Sequence, residues 1–297
     1  MTSQKHTLNG ASAAILAYLL WGLFPIYWKQ LHGIAATELI AHRVVWSLVF
    51  VAALVCFTGA WAELKPALTS PRKLGLHLAS GALLSVNWLT YVWGVNHDRV
   101  LETSLGYFLV PLCNIAMGRF LLHEHLHARQ WWAVALAVGG VALQFQGVGG
   151  VPWVALIITV SWALYGYLRK QSPLSSLPGL TLETALLAPV AGTYLVFLAA
   201  HGGGALGHAS AWQQAGVLSA GIVTAVPLLL FASGARRLPL GTLGVLQYIV
   251  PSIGFLIGAF VYHEPLTPLR LASFACIWIA LAIYSSGHLR ALTSKAA

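Results

Sequence analysis

Charge is scarce in this chain. Only 8% of its 297 residues are Asp, Glu, Lys or Arg, and just seven residues are acidic. In an average globular protein about 25% of residues are charged. Hardly any segment between the apolar runs exceeds fifteen residues. The composition therefore excludes an ordinary water-soluble domain.

Cysteine is also scarce, and nucleotide-binding motifs are absent from the sequence. The chain has three cysteines, Cys56, Cys113 and Cys276, and all fall within apolar runs, which excludes a disulfide framework. The G-x-x-x-x-G-K-[ST] pattern of phosphate-binding loops does not occur, which argues against an intrinsic ATPase. We expect no bound metal, nucleotide or other cofactor.

Long apolar runs fill most of the sequence. A helix needs about 20 apolar residues to cross a hydrocarbon core ~30 Å thick. Continuous runs favour helices over a β-barrel, whose strands alternate. We predict an all-α integral membrane protein with ten crossings, at 9–28, 36–57, 75–95, 102–122, 129–146, 152–169, 180–199, 214–234, 241–262 and 269–287.

The basic residues indicate how the helices are oriented. The net charge is +9, but the basic side chains are scattered over short loops, which argues against nucleic acid as a partner. If the N-terminus is cytoplasmic, three basic residues lie in outer loops: Lys29, Arg99 and Arg270. Eleven lie in inner segments: Lys5, Lys65, Arg72, Lys73, Arg129, Arg169, Lys170, Arg236, Arg237, Arg290 and Lys295. This bias predicts cytoplasmic N- and C-termini.

The sequence contains an internal repeat. Residues 81–126 aligned with residues 221–266 share eleven identities in 46 positions, including Pro111/Pro251 and Glu124/Glu264. We predict two repeats of five helices, at 1–147 and 148–297. Because five is an odd number, the second repeat must be inverted relative to the first, as in many secondary transporters.

Several motifs resemble those of a known family. They are Leu16-Ala17-Tyr18, Trp21-Gly22, Pro25, Glu38, His42-Arg43, Leu105-Gly106-Tyr107-Phe108, Pro111, Glu124, Gln247-Tyr248 and Glu264. Over residues 8–287 the chain resembles the EamA-type drug/metabolite transporter superfamily, and within it the bacterial RarD subfamily. The resemblance implies two inverted bundles around a central cavity, alternating access and export of small metabolites or drugs across the inner membrane.

Uncharged polar and aromatic residues near the middle of the predicted crossings are candidates for binding the solute. The predicted set is Asn87, Trp88, Tyr91, Tyr107, Asn114, Tyr165, Gln247 and Tyr248. Together they favour a neutral, zwitterionic or weakly charged organic solute over an inorganic ion. The structural alternative is that the amides bridge neighbouring helices and the aromatic rings fill gaps in the bundle.

Ionisable residues lie nearer the ends of the crossings. They are Glu38, His42, Arg43, Glu102 and Glu183. Because intramembrane ionisable groups are often functional, we predict roles in proton coupling or gating. A structural cluster that anchors the helices is the alternative.

Two other function classes fit parts of the sequence. Residues His123 to His127 match the H-E-x-x-H pattern of zinc proteases, but the second repeat has Pro265 and Thr267 in place of the matching residues. A flippase for lipids or isoprenoid carriers would share the ten-helix architecture. The favoured prediction is a secondary transporter whose partners are a small organic solute and the membrane lipids.

Overall fold

The computed structural model describes residues 2–97, 99–144, 151–261 and 268–293, which form helices and connecting segments without a strand. The helices are α1 (Thr2–Gly22), α2 (Phe24–Gln30), α3 (Ala36–Thr58), α4 (Trp61–Leu68), α5 (Pro71–Asn96), α6 (Val100–Leu121), α7 (Ala128–Gln144), α8 (Trp153–Gln171), α9 (Ser176–Ala200), α10 (Ala211–Arg237), α11 (Leu240–Gln247), α12 (Ile249–Phe260) and α13 (Pro268–Thr293). The all-α prediction is confirmed.

Two predicted crossings are each divided into two helices. The first breaks at Leu23 and the ninth at Tyr248. A proline lies shortly after each break, Pro25 and Pro251. Proline has no N–H and its ring clashes with the carbonyl four residues earlier, so a break just before it is expected. The short helix α4 lies between the second and third predicted crossings.

The surface of the helices is apolar. Large side chains such as Phe57, Trp132 and Val190 are 88%, 74% and 77% exposed. Within the described residues, six helical segments are long and apolar enough to cross a membrane: Asn9–Gln30, Ala36–Thr58, Glu102–Leu121, Ser176–Ala200, Ala211–Arg237 and Leu240–Phe260. Exposed apolar belts of this kind are covered by lipid, so the chain is a multi-pass membrane protein.

Polar contacts join the connecting segments to each other and to the helices at two ends of the bundle. At one end, Arg236 donates to the carbonyl of Leu174, and Lys170 donates to that of Leu238. Burial lowers the pKa of the Lys170 ammonium, while Glu124 acts in the opposite direction. At the other end, the 201–210 segment contacts α3.

Close helix contacts are made where glycine exposes the backbone. Four glycine carbonyls accept hydroxyl groups from neighbouring helices. The pairs are Tyr27 with Gly216 at 2.5 Å, Ser47 with Gly221 at 3.1 Å, Thr159 with Gly106 at 2.9 Å and Ser273 with Gly140 at 2.7 Å. Small residues let membrane helices approach closely enough for such bonds.

Candidate functional site

Arg43 lies inside the bundle and is held by aromatic rings. Its Nε donates to Oγ1 of Thr224 on α10 at 3.0 Å. The central carbon of the guanidinium lies 4.1 Å from the ring centroid of Trp88 and 5.0 Å from that of Trp28. The side chain is only partly buried. We name this group of side chains the Arg43 cluster; its members are Trp28, Arg43, Trp88, Tyr91, Tyr107 and Thr224.

The charge of Arg43 has no carboxylate partner within the described ranges. None of the ion pairs found there includes Arg43. The acidic residues of these ranges are engaged elsewhere, with backbone amides, hydroxyls, histidines or other arginines: Glu38, Glu63, Glu102, Glu124 and Glu183. Arg43 therefore presents a positive charge that no carboxylate of the described ranges compensates.

Two tyrosines also lie beside Arg43 in this cluster. The ring centroids of Tyr91 and Tyr107 lie 5.9 Å apart, and both residues interact electrostatically with Arg43. The Tyr107 hydroxyl donates to Oδ1 of Asn87 at 3.1 Å. Nδ2 of Asn87 donates to the Ile158 carbonyl at 2.9 Å and to Oγ of Ser161 at 3.1 Å. Asn87 thus links α5, α6 and α8 and fixes Tyr107 beside Arg43.

One group of predicted binding residues lies away from the Arg43 cluster, near α11. Asn114 is on α6, where α11 packs, and Gln247 and Tyr248 are at the break between α11 and α12. They are 1%, 5% and 2% exposed. The Asn114 and Gln247 amide oxygens and the Tyr248 hydroxyl have no hydrogen-bond partner in the described part of the chain. Tyr248 packs with Ile115 and Ala137 instead.

Glu183 is the centre of a fully buried polar network between α5, α8 and α9. Its carboxylate accepts from Nη1 of Arg169 at 3.3 Å, from Oγ of Ser80 at 2.5 Å and from the Tyr165 hydroxyl at 3.4 Å. Nδ1 of His77 lies 3.3 Å away. Arg169, His77 and Glu183 are each 0% exposed. The structure therefore joins two predicted site residues, Tyr165 and Glu183, in a network separate from the Arg43 cluster.

Glu38 and His42 line a cavity of about 130 Å³ between α3, α9 and the 201–206 segment. Nε2 of His42 lies 3.5 Å from Oε1 of Glu38, which also accepts from the Ala205 amide at 2.5 Å. Nδ1 of His42 is buried and has no partner among the described residues. The pair can hold or pass a proton next to this cavity.

Glu102 joins the start of α6 to that of α8. Its carboxylate accepts from Nη1 of Arg99 at 3.0 Å and from the amide of Val154 at 3.3 Å. A carboxylate at a helix N-terminus satisfies a free N–H and favours the helix dipole. The contacts of Glu102 are those of a helix-capping residue.

The H-E-x-x-H segment does not have the geometry of a zinc site. Residues 122–127 are not helical, so His123 and His127 are not one helical turn apart. The Glu124 carboxylate accepts from the amides of Leu240 at 2.7 Å and Gly241 at 3.0 Å, at the start of α11. No group of three potential metal ligands occurs in the ranges described. The matching Glu264 of the second repeat lies outside those ranges.

Sequence reasoning missed several members of these sites. Trp28 and Thr224 contact Arg43, and Arg169 and His77 contact Glu183. The opposite charges of Arg169 and Glu183 at adjoining ends of neighbouring predicted crossings were a signal for that pair. Nothing in the sequence pointed to Thr224, since its role depends on how α10 packs against α3.

Comparisons with known proteins agree with a transporter fold. Residues 8–146 match the EamA-like transporter family. An uncharacterized transporter of Pseudomonas aeruginosa is 44% identical over 290 residues, covering 96% of this chain and 95% of that protein. Protein RarD of Salmonella typhi is 40% identical over 280 residues, covering 94% and 95%. A protein crystal structure with 20% identity shares the fold, with a TM-score of 0.70 over 94% of this chain and 97% of that one.

Proposed function

The chain belongs to the EamA-like transporter family and its RarD-like group, and from this premise we propose that it is a secondary transporter of small organic solutes. The solute moves across the bacterial inner membrane by alternating access, in the direction of export. The observation that carries this proposal is the Arg43 cluster, a polar and aromatic site inside an otherwise apolar bundle. Intramembrane charged and polar groups that face a bundle interior commonly mark solute pathways.

The proposal includes ten crossings in two inverted repeats, 1–147 and 148–297. The first repeat contains α1 to α7, with α1 and α2 as one crossing. The second contains α8 to α13, with α11 and α12 as one crossing. The helix contacts support this arrangement because they occur as exchanged pairs: α1 packs on α10 as α5 packs on α8, and α3 packs on α10 as α5 packs on α9.

Repeated glycines support the same symmetry. Gly81 of α5 faces α9, and the matching Gly221 of α10 faces α3. Gly94 of α5 lies against Thr103 of α6 and Val154 of α8, and the matching Gly234 of α10 lies against α1. A twofold axis in the membrane plane exchanges α3 with α9 and α1 with α8. The matched pair Gly94 and Gly234 therefore lies where symmetry-related helices approach closely, with a neighbouring helix within 3.0 Å of a Cβ atom at either position.

Both repeats contribute to the Arg43 cluster. Arg43, Trp88 and Tyr107 come from the first repeat, while Thr224 comes from the second. A rocking motion of one repeat against the other would change access to a site at their interface, as in other inverted-repeat transporters. We further propose that Glu38 and His42 link transport to protons, because they are paired beside a cavity at the edge of the membrane.

Flux through proteoliposomes tests this function. Vesicles containing the purified chain are loaded with unlabelled amino acids and chloramphenicol, and counterflow of each labelled compound is measured against protein-free vesicles. We expect saturable counterflow of at least one solute. Glu38→Gln should flatten the dependence of its rate on pH between about 5 and 8, because it removes the carboxylate that is paired with His42. Movement of labelled lipid without any solute counterflow would favour a flippase instead.

A further inference from the structure

We infer that Arg43 binds the carboxylate of the transported solute, so that the site selects organic monoanions or zwitterions that carry a flat apolar group. This inference rests on the proposed transport function and adds the class of substrate. It is carried by an unpaired cation, by the geometry of its contacts and by the aromatic side chains around it.

The charge of Arg43 is unpaired among the described residues. A charged side chain inside a membrane is costly, about 2.5 to 3.5 kcal/mol on insertion scales, and such residues normally have partners. Arg169 and Arg99 each have a carboxylate within 3.3 Å. Arg43 has none within the described ranges, although it lies deeper in its predicted crossing than either of them. An anion brought by the solute would supply the missing partner.

The guanidinium of Arg43 has a free edge. Nε is occupied by Thr224, whereas the two terminal nitrogens, Nη1 and Nη2, donate to no group in the described part of the chain. The rings of Trp28 and Trp88 both contact the guanidinium. Aromatic rings stack on the faces of a guanidinium, so the N–H groups at its edge stay free to donate. Those two nitrogens form the fork that a carboxylate accepts in a bidentate pair.

The side chains around Arg43 indicate which group the solute carries besides its carboxylate. Tyr91 is 42% exposed and lies edge-on to Tyr107, so an apolar group extending from the carboxylate would meet aromatic surface. The Tyr107 hydroxyl is already donated to Asn87 and is held in place. Among the described residues that contact the cluster, Arg43 is the single cation. One cation suits a single carboxylate better than a phosphate dianion.

Binding of matched acids and amides tests the inference. The purified full chain is titrated with benzoate, phenylacetate and L-phenylalanine, and with the carboxamide of each, by calorimetry and thermal stability. Sodium sulfate at equal ionic strength controls for simple anion effects. We expect at least one acid to bind about tenfold or more tightly than its amide, since hydrogen bonds to charged groups contribute most.

Variants of Arg43 assign the preference to this residue. Arg43→Gln should remove the preference for the acid and leave amide binding unchanged, and Arg43→Lys should retain part of it. Arg237→Gln, which removes an equal charge from an exposed position on α10, should bind as wild type does. The thermal midpoint of each unliganded variant shows whether the protein is folded.

The outcomes separate this inference from the proposed function. Counterflow of an amide with no preference for any acid leaves a transporter and overturns carboxylate recognition. Acid binding that requires Arg43 but produces no counterflow supports the anion site and overturns transport. Equal stabilisation by sulfate and by the acids, or binding of no acid in the panel, also overturns carboxylate recognition.

Discussion

At the scale of single residues, two arginines inside the bundle, Arg169 and Arg43, differ in how their charge is compensated. Arg169 is 0% exposed and lies 3.3 Å from the Glu183 carboxylate, so two charges share one desolvated space. Removing one member of such a pair leaves the other unpaired, and this costs about 3 to 5 kcal/mol. Removing both charges avoids that cost. Arg43, in contrast, keeps its charge available for a ligand.

A double-mutant cycle tests the Glu183 network. We expect Glu183→Gln and Arg169→Gln each to lower the free energy of unfolding by about 3 kcal/mol, because each leaves a buried charge without its partner. The double variant should be more stable than either single variant. Unfolding in mixed micelles of mild detergent and dodecyl sulfate measures all four proteins, and losses that simply add would contradict the coupling.

The residue scale is also where sequence reasoning was least complete. It selected Trp88, Tyr91 and Tyr107, which the structure brings together around Arg43. It also selected Asn114 and Tyr248, which lie elsewhere. Helical spacing indicates depth and the face of one helix, but the neighbour that covers this face depends on packing. Whether the eight selected residues contact the solute stays a prediction.

At the scale of elements, the apolar runs predicted where the helices lie more reliably than how they bend. Each predicted crossing coincides with a helix or a pair of helices. The prolines in α6, α9 and α10 lie inside unbroken helices, whereas Pro25 and Pro251 follow breaks. Proline weakens one turn in every case. Whether the turn opens depends on the surrounding contacts, which the sequence does not contain.

A pair of matched glycines tests helix packing. A Cβ atom at Gly221 would meet the backbone of Trp46 and lie 2.6 Å from the Ser47 nitrogen, whereas one at Gly81 would have its nearest neighbours at 3.6 Å. Gly221→Ala should therefore cost about 1 to 3 kcal/mol of unfolding free energy through overpacking.

Gly81→Ala is the control, because it occupies the equivalent position of the other repeat. We expect it to unfold within about 0.5 kcal/mol of the wild type, the usual range away from tight contacts. Similar losses in the two variants would show that the α3–α10 contact is no closer than the α5–α9 contact.

At the scale of the whole molecule, orientation follows from the distribution of basic residues. Eleven basic residues lie on the side of the N-terminus and three on the other side, if the chain crosses ten times. The contacts of Lys170 and Arg236 place two of the inner segments at one end of the bundle. Positive residues are retained in the cytoplasm during insertion. Both termini should therefore be cytoplasmic.

Reporter fusions measure this orientation in cells. Green fluorescent protein fused after Ala297 should fluoresce, since it folds in the cytoplasm, and alkaline phosphatase at the same position should be inactive. Alkaline phosphatase inserted in the 201–210 segment should be active. The reverse pattern would mean that the basic bias does not set the topology of this chain.

The hydroxyl groups that reach glycine carbonyls have a consequence for how the helices move. These bonds carry no net charge, so dissolved salt does not weaken them as it weakens ion pairs. A hydroxyl can also move its hydrogen bond from one carbonyl to the next along a helix, and no charged group loses a partner when it does. We expect sliding of α3 on α10, through Ser47 and Gly221, to meet a series of low barriers. The charged Glu183 network joins α5, α8 and α9, so we expect these three helices to move together while α3 slides on α10.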